Sequence, residues 1–148
     1  MSGLSDIGVK VEGDSEPEDG PTTRIGNALP ILHEIETYLT RLTQGGEPAT
    51  IDLRAMPLAP GDYETLQRLL GEGEVSATID ALGPTRVRET AVRGVWWVTH
   101  HGATDEVVAE FIEITRIPTI LQTVDEDLVD GLLRLRDCLA QEGQAASD

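Results

Sequence analysis

The sequence predicts one α+β domain: a mostly antiparallel sheet of four or five strands, with about three helices packed on one face. Three observations predict it. Residues 74–115 alternate apolar and polar side chains between turn signals, the pattern of a meander. Before and after that stretch, apolar residues recur at helical spacing. A chain of 148 residues is also long enough for a single domain with a real core.

Residues 1–26 hold Asp6, Glu12, Asp14, Glu16, Glu18 and Asp19 against Lys10 and Arg24, with no aromatic residue. Such a segment buries too little apolar surface to offset its ordering entropy, so the composition predicts an acidic disordered tail. The alternating Ile7, Val9 and Val11 leave an edge strand as the alternative. Residues 27–142 form the single folded domain, and 143–148 are expected to fray.

The domain opens on a helix over Asn27–Thr43. Ala28, Ile31, Leu32, Ile35, Tyr38, Leu39 and Leu42 share one face, Pro30 suits the first turn, and Gly45-Gly46 ends the helix. A short strand at Thr50–Leu53 follows. A second helix is expected from an Asp62 N-cap to Leu70, with Gly71 as the left-handed cap. Strands over Val75–Ala81, Thr85–Val92, Val95–His101 and Glu106–Thr115 make the meander. Thr123 with Glu126 fits a capping box for a last helix, whose stripe is Val124, Leu128, Leu132, Leu135 and Leu139.

Arg93-Gly94 reads as a two-residue hairpin turn, which sets Val92 opposite Val95 and Thr90 opposite Trp97. One face then carries Val87, Glu89, Ala91, Trp96, Val98 and His100; the other carries Arg88, Thr90, Val92, Val95, Trp97 and Thr99. The first face is the more apolar and is expected to lie under the helices, with Trp96 in the core. Trp97 is expected on the open face, stacked with Arg88. Val95 and Trp97 would then offer apolar surface to another polypeptide. Glu89 would lie on the core side diagonal to His100, as an edge salt bridge or as a working acid.

A formal charge of −16, from 27 acidic and 11 basic residues, repels phosphate backbones and argues against nucleic acid as a ligand. The same charge attracts basic partners or simply keeps the protein soluble. Cys138 is the only cysteine, which rules out an intrachain disulfide and a thiolate metal cluster from one chain. No apolar run is long enough for membrane insertion, and the N-terminus lacks the cationic start and apolar stretch of a signal peptide, so a cytoplasmic location is expected.

Adjacent His100 and His101 point to opposite faces of a strand, and with His33 and Cys138 they make a poorly spaced metal set. No cofactor site and no enzymatic constellation is expected. Gly71-Glu72-Gly73-Glu74 lacks the Lys and the following helix of a phosphate loop. It reads as a helix cap with a turn, or as an acidic loop presenting Glu72 and Glu74 to a cationic partner.

Taken together, Ile51-Asp52-Leu53-Arg54, Leu70-Gly71-Glu72-Gly73-Glu74-Val75, Arg88-Glu89-Thr90 and Gly94-Val95-Trp96-Trp97-Val98 resemble the HupH/HyaF family of nickel–iron hydrogenase expression proteins. The likeness runs from about Leu29 to about Leu121. Many members of that family are roughly twice as long and carry two related copies of the domain. The resemblance implies an accessory role in hydrogenase maturation: a chaperone that binds a hydrogenase subunit, the iron–sulfur small-subunit precursor, before export. It also implies contact with other maturation factors, and a single copy that pairs with itself would restore a two-copy arrangement. The motif positions Leu70, Gly71, Glu72, Gly73, Glu74, Arg88, Glu89, Val95 and Trp97 are the expected partner-binding residues. The alternatives are a scaffold bridging maturation factors and a metal or cluster assembly factor using Glu89, His100 and Cys138.

Overall fold

The structure is a computed structural model that describes residues 26–147, and the tail expected over 1–26 lies, but for Gly26, outside that range. The elements run α1 (Ala28–Thr43), β1 (Ala49–Asp52), a 3-10 turn (Leu53–Ala55), α2 (Pro60–Leu70), β2 (Ser76–Asp80), β3 (Pro84–Glu89), β4 (Val95–His101), β5 (Val107–Ile114), a second 3-10 turn (Thr119–Leu121) and α3 (Asp125–Ala145). One open antiparallel sheet is ordered β1-β5-β4-β3-β2, so the α+β expectation holds. Among the described residues no helix is long and apolar enough to cross a membrane.

On α1 the buried residues Ala28, Ile31, Ile35 and Leu42 recur at helical spacing and face the sheet with Leu66 and Leu70 of α2. The second helix begins two residues before the expected cap. Pro60 takes the first position, where a missing N–H costs nothing, and Asp62 sits inside the first turn. There its carboxylate accepts the Ala59 N–H at 3.0 Å.

The hairpin between β3 and β4 departs from the expected two-residue turn. Thr90 N–H bonds the Val95 carbonyl at 2.9 Å, and Glu89, not Ala91, lies opposite Trp96. The connection is therefore the four-residue loop Ala91–Gly94, with Gly94 at φ 84. The side chain of Thr90 explains the longer loop. Its hydroxyl is within 3.0 Å of the Val92 carbonyl and 2.9 Å of the Val95 carbonyl, and it accepts the Val92 N–H at 3.2 Å. The register shifts by two residues, an even number, so the division into two faces survives.

The assignment of those faces does not survive. Helices α1 and α2 cover the face with Val95 and Trp97, whose core also contains Ile51, Ile112 and Ile114, and α3 does not join them as the third helix expected on one face. Trp96, Val87 and Val98 lie on the opposite face under Phe111, Ala77 and Leu121. The hairpin alone made the wrong side look greasier. The register places Trp97 beside Ile112 and Val95 beside Ile114, and Ile51 pairs with Ile112, so β1 and β5 decide the matter. Both indoles are buried, Trp96 at 6% and Trp97 at 3% exposure, and no tryptophan-bearing surface is offered to a partner. Arg88 pairs with Glu72 instead of stacking on Trp97.

The last helix also starts differently. Val124 occupies the N-cap with no side-chain cap bond, so the Thr123–Glu126 box is not formed. Its apolar stripe is present but none of its residues is buried. Ile112→Ala, in the centre of the helix-side core, should cost roughly 2–5 kcal/mol in urea unfolding. Exposed Ile117→Ala should cost less than about 0.5 kcal/mol in the same measurement.

Candidate partner-binding site

Gly71 ends α2 at φ 64 and ψ −163, a positive-φ conformation open essentially to glycine alone rather than the expected left-handed helical cap, and its N–H bonds the Gln67 carbonyl at 2.9 Å. The chain then runs along the end of β3. Ala91 N–H donates to Leu70, Gly73 N–H to the Glu89 carbonyl and Glu89 N–H to the Val75 carbonyl, each at 2.8 Å. A Cβ on Gly73 would stand 2.4 Å from the Thr90 carbonyl oxygen, so the approach needs glycine. The loop is thus laced to the β3–β4 hairpin by backbone bonds rather than left free.

Two ion pairs decorate it. Arg88 Nη1 donates to Glu72 Oε1 at 3.2 Å, and Arg93 Nη2 lies 3.8 Å from Glu74 Oε2. Both carboxylates are more than four-fifths exposed, so each pair is worth at most about 1 kcal/mol. Gly71, Glu72, Arg88, Glu89 and Trp97 line one open pocket of about 310 Å³ together with Gln67 and Thr90. A neighbouring hollow of about 260 Å³ is lined by Glu72, Gly73, Glu74, Glu89 and Arg93. The fold therefore gathers the expected motif residues at one place. It presents them unevenly: Glu72, Gly73 and Glu74 are exposed, whereas Leu70 and Val95 belong to the core beneath.

A second cluster was not foreseen. Trp97 Nε1 donates to Glu110 Oε2 at 3.1 Å, and the Thr99 hydroxyl donates to the same oxygen at 3.3 Å. Glu110 lines a hollow of about 400 Å³ with Leu53, Arg54, Tyr63 and Val107, and the Arg54 guanidinium donates to the Val107 carbonyl. Burial first, and the Glu110 carboxylate next, hold the Tyr63 phenol above its usual value. The available signal was a carboxylate inside the apolar run of β5, on the same face as an indole that needs an acceptor.

The histidines and the cysteine are placed apart. His100 Nδ1 is 2.8 Å from the Thr85 hydroxyl, and its ring meets Phe111 edge-on at 5.8 Å. His101 Nδ1 lies 3.3 Å from Asp105 Oδ1. Cys138 is exposed on α3. Among the described residues no three His, Cys, Asp or Glu side chains come together as a metal-ligand set, so Glu89, His100 and Cys138 are not gathered. Glu113 lies opposite Trp96, and burial raises its pKa, opposed by the charge of His100.

The family model described as the HupH hydrogenase expression protein, C-terminal conserved region, matches residues 25–141. The chain belongs to the HupH hydrogenase expression protein family. It is 34% identical over 111 residues to the hydrogenase expression/formation protein HupH of Rhizobium leguminosarum bv. viciae, covering 75% of this chain and 39% of that one. It is 36% identical over 137 residues to HupQ of Azotobacter chroococcum mcd 1, covering 81% and 48%. The hydrogenase-1 operon protein HyaF of Escherichia coli K12 is 30% identical over 129 residues, covering 85% and 44%. The chain thus spans less than half the length of these curated relatives. The solved structure of the hydrogenase expression protein HupH from Thiobacillus denitrificans superposes with a TM-score of 0.75 at 42% identity, covering 79% of this chain and 98% of that one.

Gly73→Ala should lower the urea midpoint, with a loss of roughly 1–3 kcal/mol, because backbone must move to admit the methyl group. The Glu113 carboxyl holds its proton more tightly in the folded chain than in the unfolded one. Its stabilising protonation is therefore complete below the unfolded pKa and is lost as pH rises through the folded one. Glu113→Gln should match the parent at about pH 4 and exceed it in urea midpoint at about pH 8.

Proposed function

We propose that this chain is an accessory chaperone, not an enzyme, in the maturation of a nickel–iron uptake hydrogenase. It binds a hydrogenase subunit, the iron–sulfur small-subunit precursor, in the cytoplasm before export, without a cofactor. The observation that carries this reading is family membership across residues 25–141. Two physical features support it. The formal charge of −16 favours a cationic leader peptide electrostatically. Glu72 and Glu74 project from a loop whose backbone is already fixed on the β3–β4 hairpin, so little ordering entropy is lost when a partner docks there.

Co-purification with the small-subunit precursor, with and without its leader, tests the proposal. Binding to the leader-bearing form is expected, and retention of neither form would rule the role out. Glu72→Lys with Glu74→Lys should weaken capture of that form about tenfold, equivalent to about 1.4 kcal/mol. The loss should shrink as salt rises.

A further inference from the structure

The helix α3 is 21 residues long and buries none of them. Val124, at its N-cap, and Leu128, Val129, Leu132, Leu133, Leu135 and Leu139 along it are each between 48% and 63% exposed. Together these side chains show on the order of 600 Å² of apolar surface, at the upper end for the largest patch on an ordinary monomer. A standard interface needs about 800 Å² from each partner, so this helix alone supplies most of one.

The spacing of the stripe says what kind of neighbour fits. Leu128, Leu132, Leu135 and Leu139 follow steps of four, three and four, the seam of a coiled coil. The charge along α3 is lopsided. Asp125, Glu126, Asp127 and Asp130 lie in its first third, whereas Arg134 and Arg136, on either side of the midpoint, are balanced by Asp137 and Glu142. Two copies in parallel would stack the acidic ends on each other. An antiparallel pair separates those ends and sets each against the remainder of its neighbour, which carries no net charge. Gly131, beside the seam, points the same way. Glycine is unfavourable inside a helix, and a Cβ there would meet nothing within 4 Å among the described residues outside its own helix turn.

We infer that α3 is the interface between two copies of this chain, paired antiparallel, with Leu128 layered on the partner's Leu139 and Leu132 on the partner's Leu135. In that alignment Gly131 flanks the partner's Cys138. Within one helix the same two positions are about 10 Å apart, too far for a disulfide.

The full chain is measured alone, so the result is independent of the hydrogenase reading. Light scattering at about 50 µM should give twice the 16.0 kDa chain mass. Leu132→Asp with Leu135→Asp should give the single-chain mass with unchanged tryptophan emission, since α3 contributes nothing to either buried core. Oxidised Gly131→Cys should form a covalent dimer that disappears when Cys138→Ser is added. A single-chain mass for the parent, a dimer that withstands the two aspartates, or cross-linking that does not need Cys138 would each overturn the inference.

Discussion

The central strand β4 is buried on both sides, and the rest of the structure follows from that constraint. Val95, Trp96, Trp97 and Val98 are four consecutive buried residues, so each face of the sheet needs a cover. The Val95 and Trp97 side receives α1 and α2. The Trp96 and Val98 side is closed by Phe111 and by Leu121 of the second 3-10 turn. Each buried indole N–H also needs an acceptor. The Thr115 carbonyl at 3.1 Å serves Trp96, and the Glu110 carboxylate at 3.1 Å serves Trp97.

The motif around Leu70–Val75 belongs to the same design. Its glycines are required by backbone geometry, one by a positive φ and the other by contact with the Thr90 carbonyl. Its three cross-loop backbone bonds hold it against the strand that pairs with β4. The exposed Glu72–Arg88 and Glu74–Arg93 pairs add little to stability. The position of the loop is therefore held by its backbone bonds and glycines, not by these pairs.

In α3 the balance is reversed. The Trp-containing strand has every apolar group covered, while α3 has its whole stripe uncovered. The exposed apolar stripe thus lies on this helix and not on β4. The leucines of α3 gain hydrophobic stabilisation only when something covers them.

Local patterns were legible in the sequence because they depend on neighbours in the chain. The stripe of α1, the alternation through the meander, the cap at Gly71 and the leucine spacing of α3 all follow from periodicity and turn chemistry. The family likeness was legible for the same reason, since its motifs are short and contiguous. The side of the sheet that meets the helices was not legible. It depends on Ile112 and Ile114 lying beside the hairpin and on Ile51 pairing with Ile112, through pairings that bring residues far apart in sequence together. Nor was the hairpin length, which a single hydroxyl on Thr90 decides. The same holds for α3. Amphipathic spacing determines that a helix has an apolar face, whereas only the tertiary structure decides whether its own domain covers that face.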